Sequence, residues 1–197
     1  MKARTAITRL SESEILKTLA GTVAFAILTG AFSQIKVYLP WTPVPITLQT
    51  AAVLLAGALL GRKSGALSQL IYVALGAAGI PWFANLEGGI GYLAGPTGGY
   101  LVGFILAAYL TGYTFERIEP KSAIRVFAIL TLVNFTAIYI PGLIHLYLWL
   151  KIVKGSSVSL ASLLGMGLLP FVAGDLMKIA AITPVILKSF HSRKSRP

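Results

Sequence analysis

The stretch that decides the fold is Leu163-Leu-Gly-Met-Gly-Leu-Leu-Pro170-Phe-Val-Ala-Gly-Asp175-Leu-Met-Lys178-Ile-Ala-Ala-Ile-Thr-Pro-Val-Ile-Leu187. Its 25 residues are enough to cross a bilayer with some tilt. Asp175 lies 12 residues from either end, and Lys178 follows one helical turn later, on the same helix face. Each charge at mid-membrane depth costs roughly 2.5–3.5 kcal/mol on insertion scales. The pair therefore predicts a polar ligand site inside a helix bundle; the alternative is a self-neutralising pair that only fixes helix packing.

Composition extends this prediction to the whole chain. Of its 197 residues, 56% are hydrophobic and 12% are charged, whereas a soluble domain carries about 25% charged residues. We therefore expect an all-α, polytopic membrane protein with a single integral membrane domain over residues 1–197. The chain has no cysteine, which excludes disulfides and cysteine-ligated metals. His145 and His191 are far apart in sequence, so no metal site is expected.

Six apolar stretches predict a bundle of six transmembrane helices. A tight turn is expected at Arg62-Lys63, and the fifth helix is expected to break at Pro141-Gly142. His145, just beyond that break, is interpreted as an interface or packing residue. The approximate spans are 15–35, 47–61, 64–80, 100–115, 122–140 and 163–187.

The basic residues set an orientation for these spans. The net charge is +11, and thirteen of the Lys and Arg residues fall on one side of the predicted membrane. Three lie on the other side (Lys36, Lys151 and Lys154), and Lys178 lies within the last span. Because the positive side faces the cytoplasm, both termini are expected to be cytoplasmic in the plasma (inner) membrane. Charges at span ends account for the basic composition, so no nucleic-acid partner is expected.

Two irregular segments share the predicted outer side. Residues 36–46 hold three prolines in six positions, which excludes a helix. This apolar loop is interpreted as a lid that includes Trp41, Pro43 and Pro45; an aromatic anchor at the membrane interface is the alternative. Residues 81–99 are rich in glycine yet apolar, and irregular backbone at membrane depth is tolerated only inside the protein or beside a cavity. They predict an irregular outer loop that approaches a ligand.

The predicted pocket combines polar groups with apolar walls. Such a site suits a small amphipathic molecule with donors and acceptors, such as a vitamin. An enzyme is not expected, because the spans hold one aspartate and no Gly-x-Ser-x-Gly motif. A proton-coupled secondary carrier is the alternative function, although no internal repeat is visible. The expected pocket residues are Asp175, Lys178, Gln49, Asn85, Tyr38, Tyr92 and Tyr100, with Trp41 and Trp82 as possible caps.

The first span carries two pairs of small residues at i, i+4 spacing. These are Ala20 with Ala24, and Ala26 with Gly30. Such faces let helices approach closely. The neighbour is either another helix of this chain or a partner.

Three motifs, in order along the chain, resemble the BioY family. They are Val44-Pro-Ile-Thr-Leu-Gln-Thr50, Gly95-Pro-Thr-Gly-Gly-Tyr-Leu101 followed by Gly103-Phe104, and Pro170-x4-Gly174-Asp-Leu-x-Lys178. BioY is the biotin-binding S-component of energy-coupling factor (ECF) transporters. The resemblance implies six helices with cytoplasmic ends, and biotin as the ligand with no cofactor. It also implies that the loop after the first helix acts as a gate.

The resemblance also implies roles for individual residues. Asp175 and Lys178 would contact biotin, joined by Asn85, Gln49 and Tyr92. Lys178 would either donate to the ureido carbonyl or hold the valerate carboxylate, and the sequence leaves both open. The Ala20–Ala24 face would dock on the transmembrane coupling subunit. Since this chain lacks a phosphate-binding loop, two ATPase subunits would supply the ATP-driven step.

Overall fold

The structure is a computed structural model that describes residues 12–194 and is almost entirely helical. Of the basic residues that set the predicted orientation, Lys2, Arg4, Arg9 and Arg196 lie outside the described residues. The elements are α1 Glu12–Ser33, β1 Lys36–Val37, β2 Ile46–Thr47, α2 Gln49–Ala77, a 3₁₀ turn Ala84–Leu86, α3 Ile90–Leu93, α4 Gly98–Arg117, α5 Ala123–Val133, a π-helical turn Asn134–Ile138, α6 Tyr139–Ile152, α7 Leu160–Gly167 and α8 Leu169–Lys194.

Four helical segments of the described chain are long and apolar enough to cross a membrane. They are Glu12–Ser33, Gly98–Arg117, Ala123–Ile152 and Leu160–Ser192. This confirms the class predicted from the sequence, a helical multi-pass membrane protein, and leaves the count of six spans a prediction.

Helix α2 is a hairpin of two helical arms. Gly61 has φ +80° and ψ 176°, a conformation that interrupts the helix and that glycine adopts without strain. The arms before and after it lie against each other, since a Cβ on Gly65 would stand 2.8 Å from Cα of Gly57. Glu116 fixes the turn by accepting a 2.8 Å hydrogen bond from the Arg62 N–H and pairing with the Arg62 guanidinium at 3.2 Å. The two arms correspond to the predicted spans 47–61 and 64–80.

Helix α4 lies at the centre of the bundle and packs against both α2 and α6. Glycines make these approaches possible because they present no side chain between the backbones. A Cβ on Gly103 would stand 2.7 Å from the carbonyl oxygen of Ala137 and from Cα of Ile138. The α4 residues Leu101 and Phe104 belong to the hydrophobic core of the bundle, together with side chains such as Tyr72 and Phe83.

The predicted break at Pro141-Gly142 is wrong. Residues 123–152 continue as one helical segment through the π-helical turn. Proline removes one backbone donor and crowds the preceding turn, but a local π adjustment just before it accommodates the ring without ending the helix. His145 therefore lies on α6, where its Nε2 contacts the Gly95 carbonyl oxygen at 2.8 Å.

The last predicted span also differs from a single helix over 163–187. The chain leaves helical geometry at Leu168 (φ −132°, ψ −60°), so α7 and α8 are separate elements. The break falls just before Pro170, which is tolerated in the first turn of a new helix because its missing N–H needs no partner there. Beyond Pro184, α8 continues to Lys194. Asp175 consequently lies in the second turn of α8 and, as predicted, near the middle of the membrane-crossing segment Leu160–Ser192.

The two irregular segments meet at one end of the bundle. Strands β1 and β2 pair antiparallel and hold the proline-rich loop between them, which confirms that the loop is not helical. Residues 78–97 contain two short helical turns and irregular backbone, as expected from their glycines. Asn85 joins the two segments by donating a 2.6 Å hydrogen bond to the Tyr38 hydroxyl. Residues of both segments line a groove of the site described next.

Candidate functional site

Asp175 is the centre of the candidate site. Its side chain is 1% exposed, and both carboxylate oxygens have two partners. Oδ1 accepts a 3.2 Å hydrogen bond from Thr50 Oγ1 and contacts the Lys178 ammonium. Oδ2 accepts 2.7 Å hydrogen bonds from Asn134 Nδ2 and from the Tyr139 hydroxyl. Helix α2, the π-helical turn, α6 and α8 thus converge on one carboxylate.

Lys178 connects this carboxylate to the proline-rich segment. Its ammonium pairs with Asp175 and donates a 2.8 Å hydrogen bond to the Thr47 carbonyl oxygen in β2. The Lys178 side chain is 11% exposed, so the acid–base pair lies within the bundle and not against lipid. The one-turn spacing places both groups on one helix face, as predicted.

A cavity of about 50 Å³ lies beside the pair. Its walls are mostly apolar, and its polar groups come from the acid, the base and a few amides and hydroxyls. The pair is therefore next to open space, which a purely structural ion pair would not need. The lining residues include Val44, Pro45, Thr47, Gln49, Thr50, Tyr72, Tyr92, Thr97, Tyr100, Phe104, Tyr139, Phe171, Asp175 and Lys178.

Gln49 forms a second polar group on this wall. Its Nε2 donates a 2.7 Å hydrogen bond to the Tyr72 hydroxyl, and its Oε1 accepts a 3.0 Å bond from Thr47 Oγ1. Gln49 is 6% exposed and sits in the first turn of α2. The predicted residues Asp175, Lys178 and Gln49 are thus brought together at one cavity.

Asn85 lies in a larger outer groove of about 450 Å³ rather than at the inner cavity. Its Nδ2 donates a 2.6 Å hydrogen bond to the Tyr38 hydroxyl. Partial burial raises the pKa of Tyr38 above its ordinary value of 10.0, more than the bond from Asn85 lowers it. Tyr38 is therefore a neutral hydroxyl at neutral pH, able to donate to a ligand in the groove.

Tyr92 connects the two spaces. It lines both the inner cavity and the outer groove, as do Pro45 and Thr97. Its ring stacks on Phe83 with centroids 4.7 Å apart. Burial raises the pKa of Tyr92, and hydrogen bonding with Thr97 lowers it by less. Cavity and groove are therefore adjacent and share a wall at Pro45, Tyr92 and Thr97.

The predicted lid residues have different positions. Pro43 and Pro45 line the groove, whereas Trp41 is 59% exposed and lines neither space. Trp82 is not a cap: its ring N–H donates a 3.0 Å bond to the Tyr72 carbonyl, and its side chain packs against Gly30.

Three contacts of the carboxylate were not among the predicted site residues: Thr50, Asn134 and Tyr139. Thr50 belongs to the first family motif, so its position was visible in the sequence. Asn134 is an amide within a strongly apolar stretch, which is a weaker indication than a charge. Tyr139 has no such indication. Within residues 12–194, His, Asp and Glu form no group of three that could hold a metal ion.

The two small-residue pairs of α1 face in different directions. Ala26 and Gly30 are buried, with Gly30 against Trp82, so this pair packs within the chain. Ala20 and Ala24 are exposed. The Ala20–Ala24 pair is therefore available for contact with another protein.

Comparisons with known proteins point to one family. Residues 2–195 match the family described as "BioY family". A relative from Methanothermobacter thermautotrophicus, named "Probable biotin transporter BioY", is 50% identical over 136 residues, covering 67% of this chain and 87% of the relative. The "Biotin transporter BioY" of Thermotoga maritima is 36% identical over 169 residues, covering 86% and 92%.

The fold has a close match among solved structures. A crystal structure of the S-component for biotin from an ECF-type ABC transporter superposes with a TM-score of 0.83 at 24% identity. The match covers 95% of this chain and 96% of that chain. It shows that the two chains share a fold.

Proposed function

Because this chain belongs to the BioY family, we propose that it binds biotin with high affinity as the S-component of an ECF-type transporter and mediates biotin uptake. The family and its named relatives are transporters, so the chain is a transport protein and not an enzyme. The observation that carries the proposal is the buried Asp175–Lys178 pair beside a cavity that adjoins a larger groove. The ligand is biotin itself, with no cofactor.

The chemistry of the inner cavity favours the ureido ring of biotin at its deep end. The ring offers two N–H donors and one carbonyl acceptor, which match a carboxylate and an ammonium. The Asp175–Lys178 pair is neutral overall, so a neutral ligand group leaves the buried site neutral, whereas a carboxylate there adds an uncompensated charge. Lys178 therefore donates to the ureido carbonyl. The apolar thiolane ring then lies against aromatic walls such as Phe104 and Phe171.

The valerate chain extends past Tyr92, which lines both spaces, into the outer groove. There Tyr38, Asn85 and Thr97 supply neutral polar groups for its carboxylate. Glu87 also lines the groove, so its like charge keeps the carboxylate away from that edge. Pro43 and Pro45 on the groove wall act with Trp41 as the lid that follows the first helix.

The same proposal extends to the membrane arrangement and the partners of the chain. The chain has six spans, with both termini in the cytoplasm and the groove facing outward. The exposed Ala20–Ala24 face of α1 docks on a transmembrane coupling subunit, and two ATPase subunits drive transport. Exposed small residues on an otherwise apolar helix support such close helix contact.

Titration of the detergent-solubilised protein with biotin tests the site. We expect Asp175→Asn to weaken binding by about 10- to 150-fold, because a hydrogen bond to a charged acceptor contributes about 1.5–3 kcal/mol. Glu119→Gln, the same loss of charge outside cavity and groove, is the matched control and should bind as the unmodified protein does. Unchanged affinity of the Asp175 variant would refute the site.

Uptake into cells distinguishes the proposal from a proton-coupled carrier, which the membrane-embedded carboxylate also allows. An ECF S-component requires ATP and tolerates loss of the proton gradient. A carrier shows the reverse dependence. Biotin uptake that persists after ATP depletion and stops when the gradient is dissipated would favour the carrier.

A further inference from the structure

The π-helical turn Asn134–Ile138 brings two donors onto one oxygen of Asp175. Asn134 is fully buried, and its Nδ2 lies 2.7 Å from Oδ2; the Tyr139 hydroxyl lies 2.7 Å from the same atom. The two residues are five apart in sequence. In a regular α-helix, residues five apart point about 140° away from each other around the axis, whereas in a π-turn residue i+5 follows i by about one turn. The turn is what lets both side chains reach one atom.

Helix α4 packs against the π-turn. Helix α4 approaches it closely at Gly103, next to the Ala137 carbonyl and Ile138. Pro141 follows the turn and cannot supply the backbone N–H of a regular helix. The π geometry is therefore part of the fold and is already present before a ligand binds.

The two carboxylate oxygens of Asp175 consequently differ in their hydrogen-bond partners. Oδ2 accepts 2.7 Å hydrogen bonds from Asn134 in the π-turn and from Tyr139, the first residue of α6; both side chains are buried, and Tyr139 also lines the cavity. Oδ1 is contacted by Thr50 at 3.2 Å and by Lys178, and both of these residues line the cavity. Asn134 is not part of the cavity lining, so its effect on a ligand must pass through Asp175. A ligand donor is therefore accepted at Oδ1, where the lysine on its flexible stem can turn away.

We propose that Asn134 is a positioning residue for ligand recognition: with Tyr139, it fixes Oδ2 so that Oδ1 of Asp175 selects ligands that carry an N–H donor. This inference rests on the proposed function and assigns the carboxylate orientation to the π-turn. The matching ligand group is an N–H of a neutral cyclic urea.

The test compares biotin with biotin analogues methylated at one or the other ureido nitrogen, by titration of the purified full chain. The unmodified protein should prefer biotin to the analogue that lacks the N–H accepted at Oδ1. In Asn134→Leu, which removes the donor at similar volume, biotin affinity should fall about tenfold or more. The affinity for the methylated analogue should fall by less, because this analogue cannot form the hydrogen bond to Oδ1 in the unmodified protein either. The preference for biotin therefore shrinks.

Tyr139→Phe removes the second donor and keeps the ring, so it should shrink the same preference even if Asn134→Leu does not fold. Thr136→Val is the matched control, since Thr136 lies in the same turn with its side chain exposed and bonded to the Leu132 carbonyl. It should leave both affinities unchanged. A purely structural role would lower both affinities equally, and an unchanged preference in both variants overturns the inference.

Failure of the proposed function gives a different result. If the unmodified protein binds neither biotin nor its analogues, the function is refuted, and the inference with it. If it binds biotin and prefers it equally in every variant, the function stands and the role of Asn134 is refuted.

Discussion

Lys178 balances the charge of a carboxylate that is 1% exposed. Removing one member of a buried ion pair leaves the other charge uncompensated and typically costs about 3–5 kcal/mol. We therefore expect Lys178→Met to lower the thermal unfolding temperature in detergent strongly. The double variant Asp175→Asn/Lys178→Met should recover much of this stability, because the asparagine oxygen still accepts from Asn134 and Tyr139.

Biotin affinity and unfolding temperature should change independently of each other in these variants. The double variant retains neither the anionic acceptor nor the cationic donor, so it should remain weak in titration although it is folded. A double variant as unstable as Lys178→Met would contradict the assignment of the stability loss to an unpaired charge.

Sequence reasoning found the charged residues of the site but not their neutral partners, for a physical reason. A charge in an apolar stretch is costly and therefore informative. Threonine, asparagine and tyrosine carry no charge, so Asn134 and Tyr139 did not stand out, and Thr50 was visible only as part of the first family motif. Helical periodicity also places Asn134 and Tyr139 on different faces, and only the π-turn brings them together.

At the scale of the element, turns set by local chemistry were predictable, and those set by packing were not. The turn beside Arg62-Lys63 and the non-helical proline loop both follow from local sequence. Pro141 was expected to end a helix, but packing on α4 and a π-turn carry the helix through it. The break at Leu168 depends likewise on how α7 and α8 pack, with Tyr100 donating a 2.8 Å bond to the Gly167 carbonyl.

The close approach of α4 to the π-turn gives an element-scale prediction. Gly103→Ala would place a methyl group 2.7 Å from the Ala137 carbonyl oxygen and from Cα of Ile138. Overpacking of this kind costs about 1–3 kcal/mol. We expect a lower unfolding temperature together with weaker biotin binding, because the displaced turn no longer presents its donors to Asp175.

Gly165→Ala on α7 is the matched control for this change. A Cβ on Gly165 meets no atom within 4 Å, so neither stability nor affinity should fall. If Gly103→Ala lowers stability but leaves biotin affinity unchanged, the position of the π-turn does not affect biotin binding at Asp175.

At the scale of the whole molecule, the ligand site and the proposed partner surface lie on different elements. The site is formed by α2, α4, α6, α8 and the irregular segments, whereas the small-residue face belongs to α1. Leu16, Leu19, Val23 and Ile27 are exposed around this face. Binding and transport should therefore be separable by mutation.

Ala24→Leu tests this separation. The larger side chain should prevent close helix approach, at a cost of about 1–3 kcal/mol of association, and no residue of the cavity is altered. We expect biotin titration of the purified chain to be unchanged, while biotin uptake by cells and co-purification of the coupling subunit are lost. Ala128→Leu makes the same change at an exposed position on α5 and should transport normally. Equal loss of uptake in both variants would show general damage to the membrane fold, and normal uptake in both would remove α1 from the partner interface.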